Sequence, residues 1–304
     1  MTSSSSSAIV VVTGANGLVG SHVVSALGER GATVRAVVRR VGTAPQHPGV
    51  EEHVGDFADP AFAASVVAGA DALVTTVHPL GSGRDDQRRV GLDGTLVIAG
   101  AAADAGVPLL VHVSTAGVYD RSPEVGDVDE SAALVPDDSS AYGVVKRDVD
   151  AALARMEGTT RVLLRPPAIL GPGATSVWNT VRPAQVRDDE GERHANPAQT
   201  FAWVHVDDLA SIAADLATGA IATAADPEAG PVAGGCTPVN VASGPATQRD
   251  YLDAVTEALG LEPTWDEGPA WTGQILAERA RRWGWTPRVD LATALEELRA
   301  GLRG

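Results

Sequence analysis

Tyr142 and Lys146 stand four residues apart in a stretch, residues 140–156, whose spacing predicts a helix, so their side chains project from one face. A lysine ammonium beside a phenol favours the phenolate and is expected to lower a pKa that is about 10 in isolation. A tyrosine so placed can exchange a proton with a carbonyl or an alcohol while a nicotinamide exchanges the hydride. The chain offers a place for such a dinucleotide near its start. Thr13-Gly14-Ala15-Asn16-Gly17-Leu18-Val19-Gly20 follows the apolar run 8–12 and leads into Leu18, Val19, His22, Val23, Ala26 and Leu27 at helical spacing. Strand, glycine turn and helix in that order let a pyrophosphate approach the N–H groups of a helix N-terminus. Gly14, Asn16, Gly17, Leu18 and Gly20 are the expected contacts. Their spacing is G-x-x-G-x-x-G rather than the commoner G-x-G-x-x-G.

Cofactor choice is read one strand later. The second strand ends Val38-Arg39-Arg40, where an NAD site usually places a carboxylate for the ribose hydroxyls. Val38 cannot accept those hydrogen bonds, whereas Arg39 and Arg40 can pair with a 2′-phosphate, so NADP(H) is favoured over NAD(H). Asp56, after the next short strand, is expected either to hold the adenine amino group or to cap the following helix.

The elements that must carry these residues alternate. Strands at 33–38, 72–77, 109–114 and 161–164 are separated by helices at 61–68, 91–105 and 140–156, which implies an α/β fold, a Rossmann-type doubly wound parallel sheet. After Arg165 the texture changes: Pro166, Pro167, Gly171, Pro172 and Gly173 crowd together, and all six tryptophans lie beyond them. A smaller, aromatic-rich substrate lobe is expected from residues 168–204 and 244–304, beside a nucleotide-binding domain of 1–167 and 205–243.

Composition sets the surroundings. The chain of 304 residues carries a net charge of −16, which disfavours nucleic acid and anionic lipid as partners. No run approaches about 18 apolar residues, and no basic region precedes the first apolar run, so neither a membrane span nor a signal peptide is expected. The single cysteine, Cys236, has no Cys or His at ligand spacing, which fits a cytoplasmic protein without a metal site.

Taken together, the turn at 13–20, Gly94-Thr95, the run Val113-Ser114-Thr115-Ala116-Gly117-Val118-Tyr119, Glu130, Tyr142 with Lys146, Arg165-Pro166 with Gly171-Pro172, Val204-His205-Val206-Asp207-Asp208-Leu209-Ala210 and Gly284-Trp285-Thr286-Pro287 resemble the extended short-chain dehydrogenase/reductase superfamily, in its epimerase/dehydratase-like branch. The resemblance covers nearly the whole chain. It implies Thr115 as the catalytic hydroxyl, with Ser114 as the fallback, Tyr142 as the acid/base and Lys146 as the ribose-binding lysine. Glu130, Asp207 and Asp208 are read as caps or surface carboxylates. A homodimer through helices like those around Gly91 and Tyr142 is possible.

Departures narrow the chemistry. Gly91 stands where many relatives carry an Asn that organises a water relay, and Ala168 replaces an Asn typical of sugar-nucleotide epimerases. Ala116-Gly117 replaces the Asp-Glu pair of sugar-nucleotide dehydratases, which argues against dehydration. The expectation is an NADP(H)-dependent oxidoreductase interconverting a carbonyl and a secondary alcohol on a small molecule. The alternatives are a nucleotide-sugar 4-epimerase with tightly held NAD, whose diphosphate could meet Arg182, Arg187 and Arg193, and a non-catalytic NADP(H)-sensing protein.

Overall fold

In the computed structural model, residues 7–303 are described apart from His78 and Leu80; most of the serine run, residues 3–6, lies outside the described residues. Six strands come first: β1 (Ile9–Thr13), β2 (Thr33–Val38), β3 (Val50–Val54), β4 (Ala72–Thr75), β5 (Leu109–Val113) and β6 (Thr160–Arg165). Three short ones, β7 (Ala168–Leu170), β8 (His194–Ala195) and β9 (Trp203–His205), precede β10 (Cys236–Asn240) and the two-residue β11 (Thr264–Trp265). β10 joins the first six in a parallel sheet of seven strands in the order β10-β6-β5-β4-β1-β2-β3. The order reverses between β1 and β4, and in a doubly wound sheet the crevice beyond the strand ends at such a point is where ligands sit.

β1 shows why these residues form a central strand. Val10 and Val12 pack into one apolar layer with Val23, Val24 and Leu27 of α1 (Leu18–Glu29), while Val11 packs into the other. That second layer is supplied by α2 (Pro60–Val67), by α4 (Thr95–Asp104), which follows the single turn α3 (Arg84–Asp86) and a π-helical stretch Gln87–Gly94, and by α5 (Ala141–Arg155). The strand's period of two thus matches a sheet covered on both faces. The sheet strand expected over 72–77 stops at Thr75, and the helix expected over 91–105 begins π-wound. At Gly94 the helix passes so close to Phe57 that a Cβ would lie 3.0 Å from its ring.

The last third adds α6 (Arg182–Asp188), α7 (Val206–Ala217), α8 (Gln248–Leu259), α9 (Glu278–Arg282) and α10 (Leu291–Arg303). A third apolar cluster joins Leu170, Val186, Phe201, Trp203, Tyr251 and Leu298, with Trp178 and Trp265 against it. Phe201 and Tyr251 stack at 4.5 Å. The tryptophans divide: Trp271, Trp283 and Trp285 instead pack into the layer of α1 and α7. Among the described residues no helix is long and apolar enough to cross a membrane.

Candidate active site

The glycine turn is shaped by backbone contacts that no side chain would tolerate. Gly14 has φ +67°, and a Cβ there would meet Thr76 Oγ1 and Val77 Cγ2 at 2.8 Å. At Gly20 a Cβ would lie 2.0 Å from Gly14 O, so the first turn of α1 rests on the turn itself. Gly17 flanks the helix without a side-chain cap, and the N–H of Leu18 donates to Thr175 Oγ1 at 3.0 Å. Asn16 is turned sideways: its Nδ2 donates to Thr43 Oγ1 at 3.2 Å, and Thr43 donates to Arg40 O at 2.7 Å. Glu52 accepts from Gly42 N and Ala44 N, and those two bonds hold its carboxyl below its ordinary pKa.

The loop bearing Arg39 and Arg40 is therefore tied to the glycine turn. Both arginines are exposed, and among the described residues neither side chain takes part in a hydrogen bond or an ion pair. Two free guanidiniums in an acidic chain, beside a helix N-terminus whose N-cap residue is a glycine, fit an anionic dinucleotide. Asp56 is exposed and accepts from Ala58 N at 2.9 Å; the capping role falls instead to Asp59, which accepts from Phe62 N at 2.8 Å.

Across the switch point, the ends of β5 and α5 bring the reacting candidates together. Ser140 caps α5 through Gly143 N, which fixes Tyr142 in the first turn. Thr115 Oγ1 accepts from Gly117 N at 3.0 Å, and its hydroxyl is hydrogen-bonded to Tyr142, pulling the phenol's pKa down. Burial prevails and holds Tyr142 above its ordinary value. The lowering expected from Lys146 is absent because Nζ is turned to the end of β5, where it donates to Val113 O at 2.8 Å. Lys146 is 3% exposed, and burial brings its ammonium down to about 8 against the pull of Asp150.

Ser114, the fallback hydroxyl, is buried on the Asp150 side. Asp150 Oδ2 accepts from Arg165 Nε at 3.0 Å, Arg165 donates to the Tyr119 hydroxyl at 2.8 Å, and that hydroxyl donates to Asn240 Oδ1 at 2.8 Å. Burial pushes Tyr119 up to about 12, which keeps it a neutral donor. Glu130 is largely buried and accepts from Asn240 N at 2.8 Å. These residues form a polar floor joining β5, β6 and β10.

Two further motifs turn out to latch the C-terminal segment. Asp208, read as a cap or surface carboxylate, is 2% exposed and accepts from Arg288 N and Val289 N at 2.9 and 3.1 Å. Its carbonyl receives Trp285 Nε1 at 2.9 Å. His205 Nδ1 accepts from Asp207 N, leaving Nε2–H to donate to Glu297 at 3.0 Å, and Asp207 bonds His22 at 2.5 Å. The arginines weighed for a sugar diphosphate are engaged within the lobe: Arg182 with Glu192, Arg187 with Asp188, and Arg193 with the carbonyls of Val186 and Arg187.

One signal lay in the composition. Lys146 is the single lysine among the 23 basic residues, and every other one is arginine. A chain that uses arginine everywhere else sets this position apart by its ammonium, which unlike a guanidinium shifts its pKa when buried.

A doubly wound sheet with a glycine turn after its first strand and a Tyr/Lys helix beside it defines an extended short-chain dehydrogenase/reductase. A model of the NAD dependent epimerase/dehydratase family matches residues 10–224, and the chain belongs to that family. It is 29% identical over 193 residues to a 4-hydroxy-2-methyl-3-oxo-4-farnesyl-3,4-dihydroquinoline-1-oxide ketoreductase of Stigmatella aurantiaca, covering 60% of this chain and 58% of that protein. It spans about half the length of the curated relatives it matches. The fold is similar to UDP-glucose 4-epimerase of Thermotoga maritima with UDP-glucose, at TM-score 0.74 and 19% identity over 97% of this chain and 98% of that one. It is equally similar to the Bordetella bronchiseptica enzyme WbmG in complex with NAD, at TM-score 0.74 and 17% identity over 99% and 96%.

Proposed function

We propose that the protein is an NADP(H)-dependent oxidoreductase that interconverts a carbonyl and a secondary alcohol on a small molecule. The observation that carries this reading is the chain of donors from Gly117 N through Thr115 to Tyr142, with Lys146 held one turn away against Val113 O. The turn at Gly14, Gly17 and Gly20, with the N–H of Val19, would hold the pyrophosphate, and the N–H of Leu18 would exchange Thr175 for it. Asn16 keeps the adjoining loop in place, Arg39 and Arg40 would take the 2′-phosphate, and Asp56 would hold the adenine amino group. When bound, the nicotinamide supplies or accepts a hydride.

The protein's own residues handle the proton and the geometry. Thr115 and Tyr142 bind the substrate oxygen between them, and Tyr142, kept protonated by burial, gives its proton as that oxygen gains charge. Lys146 holds the ribose hydroxyls and stabilises the phenolate left behind. The lobe of 168–204 and 244–304 closes the substrate side. Similarity to a ketoreductase supports this direction, as do Ala168 and the engaged lobe arginines, which leave little for a sugar diphosphate. The deciding experiment incubates the protein with NADPH and a panel of ketones and aldehydes. Stoichiometric loss of NADPH absorbance with alcohol formation is expected; interconversion of nucleotide-sugar epimers on bound NAD, with no net absorbance change, would replace this reading by the epimerase.

A further inference from the structure

Two buried polar atoms near Lys146, Ser114 Oγ and Asp150 Oδ1, have no hydrogen-bond partner among the described residues. Asp150 lies one helical turn beyond Lys146 on α5, and its other oxygen is committed to Arg165. Ser114 follows Val113, whose carbonyl holds Lys146 Nζ. Ser114 and Lys146 both act on the Asp150 carboxyl, so the three groups are neighbours even though Ser114 Oγ falls short of a formed hydrogen bond. A hydroxyl has one donor and two acceptor sites, and an ammonium bonded once to a carbonyl has two N–H groups left.

We propose that Asp150 is a positioning residue for Lys146, acting through Ser114: the hydroxyl donates to Asp150 Oδ1 and accepts from Lys146 Nζ, coupling the carboxylate to the ammonium. The carboxylate then keeps the lysine charged and directed at the end of β5, a task for which Gly91 offers no side chain. The assignment rests on the reading of Lys146 given above. Other groups packed around the lysine do not replace Asp150. Tyr142 shares its helix and Thr115 flanks it from the end of β5; both are uncharged. Arg165, from β6, is a cation and opposes a second charge, with Tyr119 neutral behind it. On the π-helical side Gln87 is buried and uncharged, and Arg88 is tied to Asp148 at 2.7 Å. Among the described residues, Asp150 is the one carboxylate that acts on Lys146.

Because the chain has a single lysine, protein grown on ¹³C-lysine gives one side-chain amine signal, and its titration reads Lys146 without substrate or cofactor. The midpoint is expected at about 8 in the wild type. Asp150→Asn should lower it by about one unit or more, the usual effect of losing a close opposite charge, and Asp150→Glu should restore it. Should Asp150→Asn fail to fold with Arg165 left unpaired, Ser114→Ala decides, since it leaves the Asp150–Arg165 pair intact; it should lower the midpoint by about half a unit. A midpoint unmoved in folded Asp150→Asn, or unmoved in Ser114→Ala, overturns the proposal. Failure here would leave hydride chemistry untouched, and an absence of NADPH consumption would leave this titration standing.

Discussion

Lys146 should make the protein less stable near neutral pH than it would be without the charge. Its ammonium is brought from an ordinary value of 10.5 to about 8 in the folded state, chiefly by burial. Between those values the unfolded chain binds more protons than the folded one, so stability rises with pH across that window. Below the folded value both states are protonated, and the full penalty stands at roughly 3 kcal/mol, from 1.36 kcal/mol per unit. Lys146→Met removes the charge and keeps a side chain of similar length. Comparing variant and wild type cancels the titration of every other group, provided the substitution leaves the remainder intact. The variant's stability advantage over wild type, whatever its packing offset, should shrink by about 2 kcal/mol between about pH 7 and pH 9.5. Urea denaturation at a series of pH values reads this directly, with unchanged m-values as the check on two-state behaviour. A difference that is flat across the window, or that grows with pH, would refute the claim that burial strains this ammonium.

Three other outcomes follow from the geometry. Arg39→Ala should weaken NADPH binding by about tenfold or more while leaving NADH nearly unchanged, the loss of a charge-assisted contact being worth about 1.5–3 kcal/mol; equal wild-type affinities for the two cofactors in calorimetry would remove the basis for the preference. Tyr142→Phe should keep cofactor affinity and lower turnover on a carbonyl substrate by about 10²–10⁴, and a rate near wild type would rule out the tyrosine as proton donor. Asp208→Ala strips the acceptor from two backbone N–H groups of the C-terminal segment and should cost about 3 kcal/mol in a denaturant titration, with loss under 1 kcal/mol counting against the latch.

The central strands were legible because they are short apolar runs buried on both faces, whereas β10, Cys236–Asn240, lacks that pattern and was not expected; the turn was legible because only glycines fit where Gly14 and Gly20 lie. Tyr142 and Lys146 could be placed on one helix face from spacing alone. What spacing could not convey was burial, and burial reverses the expected electrostatics: the phenol is pushed up, and the lysine reaches a strand carbonyl rather than the phenol. Asp208 was misread for a similar reason. Its partners, Arg288 and Val289, lie far along the chain, so nothing near it in sequence announces an internal acceptor. Asp56 reads as a cap because it precedes α2, but the hydrogen bond to Phe62 N is made by Asp59, three residues nearer the helix.

The choice between arginine and lysine joins these observations. Where a permanent charge suits the fold, the chain uses arginine: Arg165 on Asp150, Arg279 on Glu228, Arg30 on Asp215. A guanidinium matches a carboxylate through its planar fork and does not deprotonate in proteins, so it is suited to fixed ion pairs. Position 146 carries the one cation of the other kind. An ammonium is compact enough to be buried against the Val113 carbonyl, and burial can tune its pKa where a guanidinium's stays fixed. On the function proposed above, the stability lost to a buried Lys146 and the counter-charge at Asp150 are two sides of one requirement: the ammonium must sit out of water beside the reacting phenol, and it must stay charged to stabilise the phenolate once the proton has left.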